Sequence, residues 1–240
     1  MADITLEVCV ETVAGLQAAR RGGADRIELC TALALGGLTP SVGLMTAAAE
    51  SGLPVNVLIR PRPGNFHYGA EDLTAMRDDI AAVGEAGLSG VVIGALDADG
   101  GLDLPALRAM MADAAGLSVT LHRCFDLASD QGLALRQAID LGIGTVLTSG
   151  GAVQAVDAVE GIARLIDLAA GQITVMPGSG ITAQTVRALR GLKLAAVHAS
   201  CSEPVDEPPA VAAFGFGPPV RRDTSEGAVR ALVQELRSWG

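Results

Sequence analysis

Aromatic residues are nearly absent from this chain of 240 residues, which contains one tryptophan, one tyrosine and four phenylalanines. Half of the residues are nevertheless hydrophobic. We therefore expect a core of alanine, valine, leucine and isoleucine, which suits close packing of helices on a sheet. No apolar run approaches the length of about 18 residues that a membrane-spanning helix needs, so the sequence predicts no membrane partner of that kind.

Positive charge is also scarce, because 17 lysine and arginine residues face 27 aspartate and glutamate residues, for a net charge of −10. An acidic surface argues against nucleic acid or an anionic membrane as a partner. The first residues show no basic segment followed by a long apolar run, so we expect no secretory signal and a cytoplasmic location. The four cysteines are then expected to be reduced thiols that are buried, metal-binding or catalytic.

One short pattern occurs twice near the N-terminus, where an apolar residue, a glutamate, a second apolar residue and a cysteine follow one another at residues 6–9 and again at 27–30. Side chains two residues apart on a strand lie on the same face. The glutamate and the cysteine of each segment therefore share a face. Each segment predicts a strand with an aliphatic face for packing and a polar face for chemistry.

Strand-like segments alternate with helix-like segments along the whole chain. The predicted strands occupy residues 6–9, 26–30, 55–60, 90–95, 118–124, 145–149, 173–176 and 194–200. Strict alternation implies parallel strands with right-handed crossovers. Eight such units predict an α/β fold of one domain over residues 1–240, a (β/α)8 TIM barrel.

An open doubly wound sheet is the alternative, and it would bury its central strands on both faces as continuous apolar runs. Polar inward positions at Glu7, Glu28, Arg60 and His122 fit a barrel better. The proline-rich segment 203–222 is predicted to be a loop before the final helix.

Reactive side chains concentrate at the predicted C-terminal ends of the strands, where TIM barrels carry their active sites. These side chains are Cys9, Cys30, Arg60, His122, Cys124, Asp126, Ser149, His198 and Cys201. Nothing comparable marks the opposite ends of the strands. The clustering predicts a binding or catalytic site at the C-terminal mouth of the barrel.

Cys9 and Cys30 come from consecutive strands, which lie about 4.8 Å apart when they are neighbours. If the two sulfurs are level, they could bind one soft cation, because thiolates favour Cu(I), zinc or iron–sulfur centres. Two thiolates without a local histidine suit Cu(I), whereas zinc needs two more ligands. The alternative is that both cysteines pack as small buried hydrophobic residues.

Charged and titratable groups accompany the thiols. Glu7, Glu28 and Arg60 are predicted to form a carboxylate–guanidinium cluster, which could be an active site or only a buried ion network. Two carboxylates in one pocket can also separate each other's pKa values and supply an acid and a base. His122 and His198 are candidates for a base or a ligand, and the alternative for each is a hydrogen-bonded core histidine.

The turn at residues 177–182 follows the seventh strand and opens a short predicted helix. Gly178, Ser179 and Gly180 could present backbone N–H groups to an anion at the helix N-terminus, and TIM barrels often hold phosphate after strands seven and eight. The alternative is a tight glycine turn with Thr182 as the helix N-cap.

Together these motifs resemble the CutC family, which is named for copper homeostasis. The resemblance covers residues 4–202 and is carried by LEVC (6–9), GGADRIELC (22–30), GGLTPS (36–41), IRPR (59–62), HR and FD (122–126), VLTSG (146–150) and VH (197–198). It implies a cytoplasmic (β/α)8 barrel that assembles as a homodimer or a larger homo-oligomer. It also implies Cu(I) binding through Cys9 and Cys30, without an organic cofactor.

Two functions are thus expected. In the first, the chain is a Cu(I)-binding protein whose ligands are Cys9 and Cys30. In the second, it is an enzyme of the lyase, isomerase or hydrolase type that acts on a small phosphorylated metabolite. The enzyme would use Glu7, Glu28 and His122 for acid–base work, and its ligand-binding residues would be Arg60, Arg62, Asp126, Ser149, Gly178, Ser179, Gly180 and His198.

Overall fold

The computed structural model describes residues 4–239, and eight parallel strands form its centre. The strands are β1 (Thr5–Val10), β2 (Arg26–Leu29), β3 (Val55–Leu58), β4 (Gly90–Ile93), β5 (Ser118–Leu121), β6 (Thr145–Thr148), β7 (Thr174–Pro177) and β8 (Ala196–Ala199). Ladder hydrogen bonds join them in the order β7-β6-β5-β4-β3-β2-β1-β8, and β7 and β8 at the two ends lie side by side. The strands form a nearly closed (β/α)8 barrel, which confirms the fold predicted from the alternation.

Helices cover the outside of the barrel. They are α1 (Val13–Gly22), α2 (Val42–Ala49), α3 (Ala70–Glu85), α4 (Leu104–Asp113), α5 (Gln131–Asp140) and α6 (Val159–Ala169). The Thr12 side chain caps α1 by accepting a hydrogen bond from the Gly15 N–H, and Gly23 ends that helix in the left-handed conformation. Between residues 4 and 239, no helix combines the length and the apolar character that crossing a membrane requires.

The alternation predicted for β1 positions its side chains. Leu6 and Val8 are buried in the main hydrophobic core together with Leu16 of α1. Glu7 and Cys9 lie on the other face of the strand, inside the barrel. The strand therefore packs with its aliphatic face and presents its reactive face to the barrel axis.

After β7 the chain does not form the short helix that the sequence predicts to begin at Thr182. Thr182 and Thr185 instead bind each other through their hydroxyl groups, 3.1 Å apart, and each hydroxyl also accepts from the other's N–H. A single 3-10 segment, Thr185–Leu189, follows. Local side-chain hydrogen bonds of threonine compete here with a regular helix.

The proline-rich segment 203–222 is not the loop that the sequence predicts. It forms most of an antiparallel ribbon of β9 (Ser202–Asp206) and β10 (Val220–Thr224), with the short helix α7 (Pro209–Ala213) between them. A two-stranded ribbon has a free edge on each strand, so Pro204 needs no ladder partner for its missing N–H. The helix α8 (Glu226–Arg237) then closes the fold.

Candidate metal centre at the barrel mouth

The register between β1 and β2 decides which reactive groups meet. Cys9 pairs with Glu28 across this ladder, and the last pair is Val10 with Leu29. Cys30 therefore follows the last residue pair of the ladder. It lies two residues after Glu28, the residue that Cys9 faces. The two thiols share the inside of the barrel, as predicted, but the thiol of β1 is level with the carboxylate of β2.

Both thiols contact one small apolar cluster, whose other buried members are Leu58 and Val92. The Cys30 Sγ donates a hydrogen bond of 3.4 Å to the carbonyl oxygen of Val10. Burial raises the pKa of Cys30 far above that of a free thiol, and the neighbouring Cys9 raises it further. Cys30 is thus held as a neutral thiol beside Cys9.

A thiol, a carboxylate and an imidazole converge beside this cluster. One ligand atom each of Cys9, Glu28 and His198 lies within 4.8 Å of the other two, and all three residues are buried. Cys30 is not a member of this group. We call Cys9, Glu28 and His198 the mouth centre, and its three donor types are those that bind transition metals.

Glu7 lies below the mouth centre and holds it in place. Its Oε1 is 2.9 Å from Nδ1 of His198, and its Oε2 accepts from Nε of Arg26 at 2.5 Å. The Asn56 side-chain amide donates to the same Oε2 at 3.4 Å. Glu7 is completely buried, so these contacts replace its hydration and fix the ring of His198 with Nε2 at 3.4 Å from Glu28.

The charges of this network shift the pKa values of its members in opposite directions. Burial alone would raise the pKa of Glu7, but His198 and Arg26 outweigh it and lower the value. Burial raises the pKa of Glu28 to about 7, and the positive charge of His198 only partly opposes this. Burial would lower the pKa of His198, but Glu28, Cys9 and Glu7 raise it well above its ordinary value. At neutral pH the network therefore contains an ionised Glu7 and a cationic His198.

Arg60 acts in a different way from the one predicted. Its Nη1 donates to the carbonyl oxygens of Leu35 at 3.0 Å and Gly37 at 2.8 Å, and its Nη2 donates to that of Gly64 at 3.0 Å. These carbonyls belong to the loops that follow β2 and β3. Arg60 therefore ties two loops of the barrel mouth together.

The prediction that Arg60 is the cation of a cluster with Glu7 and Glu28 is wrong. Arg26 at the start of β2 binds Glu7 instead. The sequence contains a signal for this contact, because Arg26 precedes Glu28 by two residues and so shares its face. A search for site residues that is confined to the C-terminal ends of the strands overlooks Arg26.

His122 and Arg62 lie away from the mouth centre. The Nδ1 of His122 accepts from the N–H of Cys124 at 3.1 Å, and its ring contacts the Phe66 ring with centroids 5.0 Å apart. Burial, together with the charge of Arg60, lowers the pKa of His122 to about 3. Arg62 donates to Asp72 at 2.8 Å and to backbone and side-chain oxygens of its own loop.

Asp126 and Ser149 form a hydrogen-bonded corner between β5 and β6. Asp126 accepts from the side chains of Arg123, Thr148 and Ser149 and from the N–H of Ser149. Its oxygens are occupied by protein donors, so the corner positions Arg123 at the mouth. Burial raises the pKa of the nearby Cys124 far above that of a free thiol, which indicates an inert packing residue.

A cavity of about 650 Å³ opens above the mouth centre. Its lining includes Cys9, His198, Arg123, Ser179 and Gly180. Ser179 has a φ of 77° and donates its hydroxyl proton to the Val153 carbonyl at 2.8 Å. The 177–182 turn therefore forms one wall of the cavity.

Gly178 and Cys201 also border this region. A Cβ at Gly178 would lie 2.6 Å from Leu147 and 3.3 Å from His198, so a glycine lets the turn approach the imidazole closely. Cys201 lines the cavity with a φ of 45°, and burial raises the pKa of its thiol to about 12.

Known proteins match this chain over nearly its whole length. A family model described as the CutC family matches residues 4–202. A "family protein CutC" of Rhizobium meliloti (strain 1021) is 52% identical over 239 residues, which cover 98% of this chain and 97% of the relative. Another of the same description, from Caulobacter vibrioides (strain NA1000 / CB15N), is 49% identical over 239 residues and 98% of both chains.

Solved structures agree with these relatives. A CutC protein of Streptococcus agalactiae, whose name connects it with copper homeostasis, superimposes with a TM-score of 0.78 at 30% identity over 82% of this chain and 98% of its own. A KGPDC structure from Streptococcus mutans has a TM-score of 0.64 at 14% identity over 100% of both chains, which shows the fold alone. The chain belongs to the CutC family.

Proposed function

We propose that this chain binds Cu(I) at the mouth centre and serves copper homeostasis. The observation that carries the proposal is the convergence of Cys9, Glu28 and His198 within 4.8 Å inside the barrel. A thiolate and an imidazole are ligands that Cu(I) accepts at low coordination number, and the carboxylate oxygen can complete a third position. The cavity above the centre provides a path for the ion.

The donor set fits a metal ion for a second reason. The Nδ1–H of His198 donates a hydrogen bond of 2.9 Å to Oε1 of Glu7, which is the arrangement that orients metal-binding histidines in proteins. Nε2 therefore faces Cys9 and Glu28. In this proposal Cys9 and His198 are the principal ligands, and the cationic ring of His198 releases its Nε2 proton when the ion binds.

Cys30 enters the proposal as an additional ligand. Its thiol shares an apolar cluster with Cys9, so a change of rotamer could bring its sulfur toward the same ion. To do so it must release the Val10 carbonyl and lose its proton in a buried position. We therefore expect Cys30 to contribute less to the affinity than Cys9.

A competition titration of Cu(I) against a chromophoric chelator tests the proposal. Cys9→Ser should weaken Cu(I) binding by about 100-fold or more, because loss of a ligand exceeds the effect of outer-shell changes, which is about 10–100-fold. Cys201→Ser is the matched control, since Cys201 lines the same cavity outside the mouth centre. Equal affinities in wild type and Cys9→Ser would contradict the proposal.

The same residues support a second candidate function, an enzyme that acts on a small phosphorylated metabolite. Glu7 orients His198, and the burial that raises the pKa of Glu28 to about 7 gives a group able to donate or accept a proton near neutral pH. Arg123 and the 177–182 turn in the cavity wall could hold an anionic group. Lyase, isomerase and hydrolase chemistry all use such a pair of acid and base.

Thermal shift with a panel of phosphorylated metabolites tests this candidate. A binding metabolite should raise the midpoint of unfolding of the wild type more than that of Ser179→Asp, because the new carboxylate repels an anion at the turn. Aspartate tolerates the positive φ of this position better than most residues do. If the panel stabilises neither protein, or both equally, the enzyme candidate is abandoned.

The proposal also includes a cytoplasmic location and a homodimer or larger homo-oligomer. Four free cysteines suit a reducing compartment. Cell fractionation measures the location, and size-exclusion chromatography with light scattering measures the assembly. Recovery in an oxidising compartment, or a monomer at all concentrations, would remove the respective part.

A further inference from the structure

Arg60 is a buried cation that has no counter-ion among the residues that the structure describes. Its residue is 6% exposed, and within residues 4–239 no carboxylate oxygen lies within 4.0 Å of its guanidinium nitrogens. Its Nη atoms donate to three backbone carbonyls, but its Nε–H has no partner in the described part of the chain. Proteins normally pair a buried charge, because its desolvation is costly.

His122 presents a second donor without an acceptor. Its Nδ1 accepts from the Cys124 N–H, so the proton of the neutral ring resides on Nε2. That Nε2 is buried and has no partner among the described residues. Burial lowers the pKa of this histidine to about 3, which keeps the ring neutral and Nε2 a donor near neutral pH.

Tyr68 supplies the third such group. Its hydroxyl is buried without a partner in the part of the chain that the structure describes. Burial raises the pKa of Tyr68 to about 12, so the hydroxyl keeps its proton and can donate.

Two of the three groups contact one aromatic residue, and the third follows it in the same loop. The Phe66 ring lies 5.0 Å from Cζ of Arg60 and 5.0 Å from the ring of His122. Tyr68 follows two residues later, and it lies close enough to Arg60 for that charge to oppose the rise that burial causes in the pKa of Tyr68. His122 packs closely against Gly94, where a Cβ would lie 2.4 Å from the His122 ring. Because Gly94 has no side chain, the imidazole of His122 can occupy this space.

We propose that Arg60 Nε, His122 Nε2 and the Tyr68 hydroxyl bind a small oxyanion, a carboxylate or phosphate group, beneath the loop that carries Phe66. The site is distinct from the mouth centre and does not rest on Cu(I) binding. An oxyanion supplies acceptors to three donors and neutralises the guanidinium at once. A buried water molecule could accept hydrogen bonds but would leave the charge of Arg60 uncompensated.

The single tyrosine of the chain gives a selective probe of this site. Protein labelled with 13C at tyrosine shows the ring signals of Tyr68 alone, and it can be titrated in parallel with sodium phosphate, sodium acetate and, as an ionic-strength control, sodium chloride. We expect a saturable shift with phosphate or acetate and none with chloride. A shift with phosphate alone assigns a phosphate group, and a shift with acetate alone or with both assigns a carboxylate-sized oxyanion site.

Two variants decide whether the shift arises from the three donors. His122→Phe keeps an aromatic ring beside Phe66 but removes Nε2. This variant should bind the anion with an affinity about tenfold lower, or lower still. Arg77→Gln instead removes an exposed arginine that pairs with Asp113 on the outer surface, and this variant should bind the anion as the wild type does. If His122→Phe does not fold, Tyr68→Phe must lose the thermal stabilisation that the same anion gives the wild type. Absence of a saturable shift in the wild type, or equal affinity in His122→Phe or undiminished stabilisation in Tyr68→Phe, would overturn the inference.

Discussion

Glu7→Gln is expected to lower the free energy of unfolding at pH 7 by about 3–5 kcal/mol, the range for removing one partner of a buried ion pair. Glu7 is completely buried between His198 and Arg26. Glutamine keeps the shape of the side chain but leaves Arg26 and His198 without their anion. Because the folded-state pKa of Glu7 is lowered by those partners, its contribution is fully present at neutral pH and is lost only as the pH falls through that value.

Urea unfolding measures this effect, and the chain offers a matched control. Glu226 pairs with Arg21 and Arg230 on the surface, where ion pairs contribute little. Glu226→Gln should leave the free energy of unfolding nearly unchanged. If the two variants are equally stable, the buried network does not stabilise the barrel.

His122 should make the wild type less stable as the pH falls below about 6.5. The unfolded chain binds a proton at this histidine near pH 6.5, whereas burial lowers the pKa in the folded state to about 3. A depressed folded-state value means that stability is fully present above the unfolded pKa and is lost as the pH falls toward the folded one. The loss over this window is roughly 3–5 kcal/mol for one proton.

The difference between two pH series isolates this histidine from the carboxylates that titrate in the same range. Urea unfolding of the wild type and of His122→Phe between pH 7 and pH 4 should converge, since the variant lacks the proton-binding group. His67→Phe is the control, because His67 lies in an exposed loop. A constant difference between wild type and His122→Phe at all pH values would refute the expectation.

The alternation of eight strand and helix segments was enough to predict the fold, and the period of two along β1 predicted the inward direction of Glu7 and Cys9. The prediction for β1 succeeds because a strand that is buried on one face alternates apolar and polar side chains. Leu6 and Val8 pack in the core that faces the helices, so Glu7 and Cys9 face the barrel axis. The clustering of reactive side chains at the strand ends made His198 a candidate site residue, and the structure brings it beside Cys9 and Glu28. These features follow from the order of apolar and polar residues over short stretches, which can be read from the sequence.

The partners of these residues were less predictable. Cys9 is level with Glu28 because of the stagger between β1 and β2, and barrel stagger is a property of the closed sheet. Arg60 binds backbone carbonyls, which every residue has and no motif marks.

The ribbon at 202–224 was missed for another reason. Prolines usually indicate a loop, and they are tolerated here because both strands of the ribbon are edge strands. Only the pairing partner reveals that Pro204 lies in a strand.

X-ray absorption at the copper K-edge of the Cu(I)-loaded protein tests most directly whether the mouth centre holds the ion. We predict at least one sulfur and one nitrogen or oxygen neighbour in the wild type and in Cys201→Ser, with a clear loss of sulfur in Cys9→Ser. A sulfur signal unchanged in Cys9→Ser, or a wild-type spectrum without sulfur, would contradict the assignment of Cys9, Glu28 and His198 as the metal centre.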